Sequence, residues 1–229
     1  IGVESGDTLS VVASGAFADK NVARDGNGVI AKTVTLTETY SGSALRNYAI
    51  TKQGTTSATI NPKAVTVSGI TAADKVYDGN ENATIVTNNV VINGLLFGDQ
   101  VNVAASGTFA GKDVVVNSGV TQNQTVTLGS FAYTGVDVGN YSFTDQVSTT
   151  AKITPRALTL GAVTVDSRQY TGNRVATLSS VEYDGLVGNE TLGYSATAQF
   201  ADKNVGTNKL VSITNLALAD GSGSGAVAG

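Results

Sequence analysis

The feature that most constrains this chain is that it repeats itself. Ala58-Thr59-Ile60-Asn61-Pro62-Lys63-Ala64-Val65-Thr66-Val67 returns as Ala151-Lys152-Ile153-Thr154-Pro155-Arg156-Ala157-Leu158-Thr159-Leu160, which puts Pro62 onto Pro155, 93 positions later. The same offset brings Asn47-Tyr48 onto Asn140-Tyr141 and Tyr77-Asp78-Gly79-Asn80 onto Tyr170-Thr171-Gly172-Asn173. A further segment occurs three times, as Ala13 to Val22, Ala105 to Val114 and Ala196 to Val205, each with Phe (Phe17, Phe109, Phe200) three residues before Lys (Lys20, Lys112, Lys203). Gly6-Asp7 matches Gly98-Asp99 and, more loosely, Gly188-Asn189. Unrelated anchors that share an offset identify a tandem array. With the prolines as boundaries the units are 1–61, 62–154 and 155–229. Only the middle one is whole: the first starts at the equivalent of Asn93 and the third stops at the equivalent of Gly139. These ends, and the absence of Met from all 229 residues, lead us to expect an excised window of a longer array.

A unit of about 93 residues has the size of an independent sandwich domain and not of a solenoid rung. Val and Thr are abundant, beside 27 Gly and only two Pro; β-branched residues suit a pleated, half-buried surface, and Gly, Asn and Asp suit turns. Val65-Thr66-Val67, Val101-Asn102-Val103, Val126-Thr127-Leu128 and Leu158-Thr159-Leu160 alternate in the manner of strands, and no segment keeps helical spacing for three turns. In the middle unit the alternation predicts strands near 63–70, 83–92, 99–105, 107–116, 124–133 and 140–153. Turn signals lie at Asp78-Gly79-Asn80, Asn93-Gly94, Gly98-Asp99, Ser118-Gly119 and between Gly135 and Gly139. The expected fold is all-β: a tandem, elongated array of Ig-like Greek-key β-sandwich modules, with β-grasp-like modules as the alternative, which would require a core helix.

The junctions hold almost no linker. Ile60-Asn61-Pro62 runs directly into Lys63-Ala64-Val65, and Ile153-Thr154-Pro155 into Arg156-Ala157-Leu158. Proline fixes its own φ and pushes the preceding residue into extended geometry. Without Gly/Ser tethers the units are expected to meet end to end as a stiff spacer.

Composition removes most chemistry. There is no His, Cys, Met or Trp, so the most versatile acid–base group, the thiolate nucleophile and the best zinc ligands are missing. A formal net charge of −4 offers nothing for phosphate neutralisation, and no apolar run approaches a membrane span. Acids are scattered and mostly adjoin Gly or Asn, which does not make the opposed carboxylate pair of a glycosidase.

The ordered motifs of the middle unit are Lys75-Val76-Tyr77-Asp78-Gly79-Asn80, Gly94-Leu95, Gly98-Asp99, Ala105-Ser106-Gly107-Thr108-Phe109, Gly139-Asn140-Tyr141 and Ala151-Lys152-Ile153-Thr154-Pro155. Together they resemble the YDG/MBG class of repeat modules found in large bacterial surface and biofilm-matrix adhesins. The third unit departs, with Gln169-Tyr170-Thr171-Gly172 for the Tyr-Asp-Gly and Gly188-Asn189 for the Gly-Asp, so the acid at those places reads as dispensable. The resemblance implies an extracellular stalk within a long secreted polypeptide of a Gram-negative bacterium, and it supplies no catalytic residues.

Several sharper functions compete with plain structure. Calcium needs converging oxygens, for which Asp78-Gly79-Asn80-Glu81-Asn82, Arg24-Asp25-Gly26-Asn27 and Asp137 to Asn140 are the best clusters; turns at strand ends explain them equally well. Tyr77, Tyr170 and the Asn-Tyr pairs could stack on sugars, or bury the ring and satisfy the hydroxyl on backbone. Lys20, Lys112 and Lys203 could form isopeptide bonds to Asn, but the five Glu that would supply an assisting acid do not recur in register. Thr33, Thr35, Thr37 and Thr39 read as a solvated strand face and not as an ice-binding ladder. The sequons at Asn82, Asn123, Asn140 and Asn189 are as frequent as chance allows.

The sequence therefore predicts a non-catalytic stalk or spacer at the bacterial cell surface or in a biofilm matrix. No catalytic, cofactor-binding or metal residue is assigned, Ca2+ being the one cofactor considered, and the ligand-binding residues are unknown. The expected partners are other modules of the same polypeptide, with extracellular polysaccharide or further copies of the chain as the alternative and loop 114–124 as the contact. Nucleic acid and membrane insertion are not expected.

Overall fold

The computed structural model describes residues 2–219. The first repeat contributes β1 (Ser10–Phe17), β2 (Arg24–Asp25), β3 (Gly28–Val29), β4 (Lys32–Ser41) and β5 (Thr55–Ala58). The second contributes β6 (Lys63–Ser68), β7 (Thr71–Ala72), β8 (Lys75–Val76), β9 (Asn82–Ala83), β10 (Ile85–Val86), β11 (Val91–Asn93), β12 (Asn102–Phe109), β13 (Val116–Asn117), β14 (Val120–Thr121), β15 (Asn123–Thr134), β16 (Tyr141–Thr144) and β17 (Ser148–Thr154). The third contributes β18 (Thr159–Val165), β19 (Val175–Ala176), β20 (Leu178–Asp184), β21 (Gly193–Phe200) and β22 (Val211–Ala219). Among the described residues there is no α-helix, only the single 3-10 turns Leu45–Asn47 and Val138–Asn140, which occupy the same place in the first two repeats. The chain is all-β.

Strands form where the alternation lies. In β4, Val34 is buried and Leu36, Glu38 and Tyr40 are half-buried, while Thr33, Thr35, Thr37 and Thr39 are exposed; the Thr row is a solvated face. The boundaries differ from the expectation in three places. The two strands expected at 99–105 and 107–116 are one, β12, which runs through Ser106 and Gly107, and Ser106 Oγ donates to the Gly129 carbonyl at 3.1 Å. The stretch 83–92 is divided among β9, β10 and β11. The stretch 140–153 is β16 and β17, which lie in different sheets. Between them Gln146 bridges Ile70, accepting from its N–H at 3.0 Å and donating to its carbonyl at 2.8 Å. Periodicity cannot register such a change of sheet, because both halves continue to alternate.

Among the described pairings two are parallel. β16 lies beside β6, with Tyr141 opposite Lys63 and Thr144 opposite Thr66, and β17 lies beside β8, with Ile153 opposite Lys75. A sequence reading of alternation has no access to strand direction.

The chain divides into two compact units that cut across the repeats. One comprises Ile1–Thr71, Ile85–Gly107 and Leu128–Thr149; the other comprises Ala72–Thr84, Thr108–Thr127 and Thr150–Gly229. The boundaries fall inside β7, β12, β15 and β17, and each unit contains one repeat junction.

The first unit holds the sheets β1-β4-β5 and β11-β6-β16. Its core gathers Val67, Ile70 and Leu128, with Ile85, Val90, Ile92, Ala105, Phe131, Tyr133 and Phe143 packed around them. A bulge makes this possible. In β15, Gln124, Val126 and Leu128 are buried, but from residue 129 onward the odd positions Phe131 and Tyr133 turn inward, and Ser130 has φ +47. An extra residue in a strand flips the facing of everything after it. Tyr133 thereby stacks on Phe143 with centroids 3.8 Å apart and donates its hydroxyl to Asp145.

The second unit is centred on Phe109, Val126 and Ile153, each at most 2 % exposed, with Ala151, Ala176 and Ala198 also buried. It holds the pair β18-β20 and the sheet β19-β21-β22. Here β22 has a bulge of its own beside Asn215, whose φ is +54.

Candidate functional site

The Tyr-Asp-Gly motif is a turn closed by the lysine two residues before the tyrosine. Lys75 Nζ donates to Asp78 Oδ1 at 2.8 Å, to the Asn80 carbonyl at 2.6 Å and to Asn80 Oδ1 at 3.2 Å. The side chains then cap the turn: Asp78 Oδ1 accepts the Asn80 N–H and Asn80 Oδ1 accepts the Asn82 N–H. Gly79 supplies the φ of +77 that an L side chain resists. The ammonium also lies 5.4 Å from the centroid of the Phe109 ring, a cation–π geometry. The Asp78 carboxyl is held below its ordinary value by the Lys75 hydrogen bond and then by the Asn80 N–H.

The third repeat rebuilds this clasp with different atoms. Arg168 takes the place of Lys75, donating to Thr171 Oγ1, to the Asn173 carbonyl at 2.7 Å and to Asn173 Oδ1 at 3.1 Å. Its guanidinium lies 5.4 Å from the Phe200 ring, and Gly172 repeats the φ of +77. One of the three calcium candidates of the sequence, Asp78 to Asn82, is thus a turn whose oxygens converge on a basic side chain of the protein itself.

The Gly-Asp motif pairs with the Asn-Tyr motif. Tyr48 OH donates to Asp7 Oδ2 at 2.7 Å and accepts the Glu4 N–H at 2.9 Å. Tyr141 OH donates to Asp99 Oδ2 at 2.6 Å and accepts the Leu96 N–H at 3.1 Å. The expected backbone partner for the tyrosine hydroxyl is present, and a carboxylate is added to it. Burial and then Asp99 raise the Tyr141 hydroxyl above its ordinary value.

In the third repeat the counterpart of Asp99 is Glu190, one residue beyond the Asn189 that the sequence match selected. The turn bonds Asp7 N–H to Glu4 O, Asp99 N–H to Leu96 O and Glu190 N–H to Val187 O set the register. Glu190 Oε2 accepts the Val187 N–H at 3.2 Å, as the tyrosine hydroxyls do in the other two repeats. An acid therefore stands at this position in all three repeats, although the sequence match placed Asn189 there. The sequence match failed because the glycine of the turn has moved by one residue.

Both repeat junctions are built from these groups. At the first, Lys20 Nζ donates to Asp99 Oδ1 at 2.5 Å and lies 3.4 Å from Asp137 Oδ1. Asn140 Oδ1 accepts the Val22 N–H at 2.9 Å, its Nδ2 donates to Asn21 Oδ1 at 3.0 Å, and Arg24 Nε donates to the Gly139 carbonyl at 3.3 Å. Lys20 is raised and Asp99 lowered, in each case chiefly by their mutual hydrogen bond. At the second junction Tyr77 OH donates to Glu190 Oε1, and Lys112 Nζ donates to Tyr77 OH at 3.3 Å. Val187 Cγ1 closes on Gly79, 3.0 Å from where a β-carbon would sit. The glycine of Tyr-Asp-Gly thus serves its φ and this close approach at once.

The remaining candidates have local roles. Asp25 caps its own hairpin through the Asn27 N–H at 2.8 Å, and Asp137 accepts the Gln100 N–H at 2.9 Å. Lys32 reaches Asp19 at 2.5 Å and the Asn21 carbonyl at 2.9 Å; Lys209 does the same with Asp202 and the Asn204 carbonyl. In the middle repeat both partners change together, to Gly111 and Gln124, and Gln124 Nε2 keeps only the backbone bond, to Asp113 O at 2.7 Å. Loop 114–124 carries the hairpin β13–β14, with Ser118 and Gly119 both at positive φ. Tyr170 stands 60 % exposed. Among the described residues no three His, Cys, Asp or Glu gather as a metal site.

No curated protein and no solved structure matches the chain. A family profile, that of the YDG domain, matches residues 61–151 and again 154–227. The matched segments hold both basic-clasped Tyr-x-Gly turns and the acid turns Leu96–Asp99 and Val187–Glu190, and on that match the chain belongs to the YDG domain family.

Proposed function

We propose that this chain is a run of YDG repeats that serves as a non-catalytic extracellular spacer in a large bacterial adhesin or biofilm-matrix protein, holding a distal binding domain away from the cell. The repeats are 1–61, 62–154 and 155–229, each an Ig-like Greek-key sandwich where complete. The observation that carries this reading is the construction of the junctions. Only four residues separate β5 from β6, and four separate β17 from β18. At each junction the flanking repeats are tied by side chains within one compact unit. A tether that short, with contacts on both sides, restrains bending far more than a Gly/Ser linker would. The two consecutive family matches support the repeat division, and the motif order supports the adhesin assignment.

The test is small-angle scattering on the 229-residue chain together with a screen against immobilised polysaccharides. A spacer gives the scattering of a stiff particle and no saturable binding. A freely bending dumbbell overturns the stiffness, and saturable glycan binding overturns the passive role in favour of a binding module.

A further inference from the structure

In an antiparallel pair the start of one strand lies beside the end of the other, so a chain pulled by those two points peels the pair apart one bond at a time. In a parallel pair the same two points lie at opposite ends, and the pull loads the evenly spaced bonds together. The parallel pairings therefore decide how the segment 62–154, which is interior to the chain, meets tension.

The entry strand of that segment is β6, reached directly from Pro62, and β16 continues through 145–147 into β17, which leads out through Pro155. β16 runs parallel to β6 in the register Tyr141 to Lys63, Ser142 to Ala64, Phe143 to Val65 and Thr144 to Thr66. A pull on Pro62 draws β6 toward its own start, and a pull on Pro155 draws β16 toward its end. The pair is sheared. Neither strand can slip without drawing buried groups out of place. Val65 and Val67 of β6 are each 2 % exposed. On β16, Tyr141 is buried and holds the Leu96 N–H and Asp99 through its hydroxyl, while Phe143 stacks on Tyr133. A slip of one residue would also turn each inward side chain outward. Gln146 fixes the far end, because just past β16 it bonds both the N–H and the carbonyl of Ile70, itself 1 % exposed.

A second parallel pair follows along the chain. Were β6 stripped away, tension would pass to β8, which lies parallel to β17 with Ile153 opposite Lys75 and Thr154 opposite Val76. Around that pair the Tyr77 N–H donates to the Thr154 carbonyl at 2.9 Å, Thr154 Oγ1 to the Lys75 carbonyl at 3.1 Å and the Lys152 N–H to Asp74 Oδ1 at 2.7 Å.

We propose that 62–154 is a load-bearing module: the parallel pair β6–β16, pinned by Gln146, is a shear clamp that resists tension applied along the polypeptide, with β8–β17 as its reserve. Strand order and direction carry the inference; that the tension comes from an anchored stalk rests on the spacer reading.

Forced unfolding reads the rate of crossing the unfolding barrier, so the direction of pull alone should change it. The chain has no Cys, and thiols introduced in pairs into the full chain give unique handles for single-molecule force spectroscopy. Asn61→Cys with Val147→Cys shears β6 against β16, whereas Asn61→Cys with Gly139→Cys peels the same pair from its start. All three sites are exposed, and a β-carbon on Gly139 meets nothing within 4 Å. At one loading rate the shear force is expected to exceed the peel force at least twofold. Gln146→Ala should lower the shear force and leave the peel force unchanged. The chain without added thiols, held by its two ends, should show its strongest rupture lowered by Gln146→Ala, which keeps the test intact if circular dichroism shows that a thiol pair disturbs the fold. Equal forces in the two directions overturn the proposal, as does an end-to-end rupture indifferent to Gln146→Ala. Saturable glycan binding or flexible scattering would overturn the spacer reading and leave the clamp standing.

Discussion

Lys20 Nζ and Asp99 Oδ1 lie 2.5 Å apart although the residues are 79 positions apart and belong to neighbouring repeats. The pair is asymmetric: the lysine side chain is 66 % exposed, the aspartate side chain 7 %. The carboxylate is held in place before the lysine arrives, because Tyr141 already donates to its other oxygen. The flexible partner needs only to reach a fixed one.

Tyr141 is therefore expected to matter for stability out of proportion to one hydroxyl. It is 4 % exposed, and Tyr141→Phe leaves both the Leu96 N–H and an Asp99 oxygen without a partner. The cost should be about 1–2 kcal/mol by urea denaturation, with a smaller loss for Tyr48→Phe, whose ring is only half-buried.

The basic clasp should tolerate exchange of the cation but not its removal. Lys75→Met loses the bond to the Asn80 carbonyl and the contact over Phe109, for about 1 kcal/mol. Lys75→Arg should retain most of the stability, since Arg168 reaches the same acceptors in the third repeat. A Lys75→Arg chain as unstable as Lys75→Met would show that the two turns are not equivalent.

Gly42 and Gly135 occupy the same place in the first two repeats. A β-carbon there would lie 2.2 Å from the carbonyl oxygen of Thr8 or Gln100, and both residues have φ well inside the left-handed region, +140 and +129. Gly135→Ala must displace backbone, and a loss of about 2 kcal/mol or more is expected. Gly111→Ala, with open space and no such φ, should be near neutral in the same thermal melts.

The pH profile should be flat in the middle and fall at both ends. Asp19, Asp78, Asp99 and Asp202 are held below the ordinary carboxylate value, chiefly by lysine hydrogen bonds. Their contribution is complete above about pH 4, where the unfolded carboxyls ionise, and is lost as pH falls through the lower folded values. Tyr40, Tyr48 and Tyr77 are raised chiefly by carboxylate hydrogen bonds, and Tyr133 and Tyr141 chiefly by burial. Their contribution is complete below about pH 10 and is lost as pH rises through the folded values. With no His and no Cys, the melting temperature by circular dichroism should be constant from about pH 5 to about pH 9. A step near pH 6–7 would contradict the assignment.

Much of this protein was legible in its residues. Alternation placed β4, β6 and most of β15, because a strand must show its period to bury one face. The Thr row of β4 was read correctly as solvated for the same reason. Self-similarity located the Tyr-x-Gly turns and the Lys-bearing loops, since equivalent positions retain their chemistry even where Arg168 replaces Lys75. Tertiary structure alone decided the rest. The bulge at Ser130 is one residue with positive φ and leaves no compositional trace, yet it turns Phe131 and Tyr133 inward. The split of 140–153 into two sheets and the parallel placement of β16 and β17 depend on distant partners. Glu190 could be assigned to the place of Asp99 only by its backbone bond, because a one-residue shift of glycine defeats matching by letter. Most of all, the compact units straddle the repeats: sequence similarity follows duplication, whereas packing follows which side chains lie within reach.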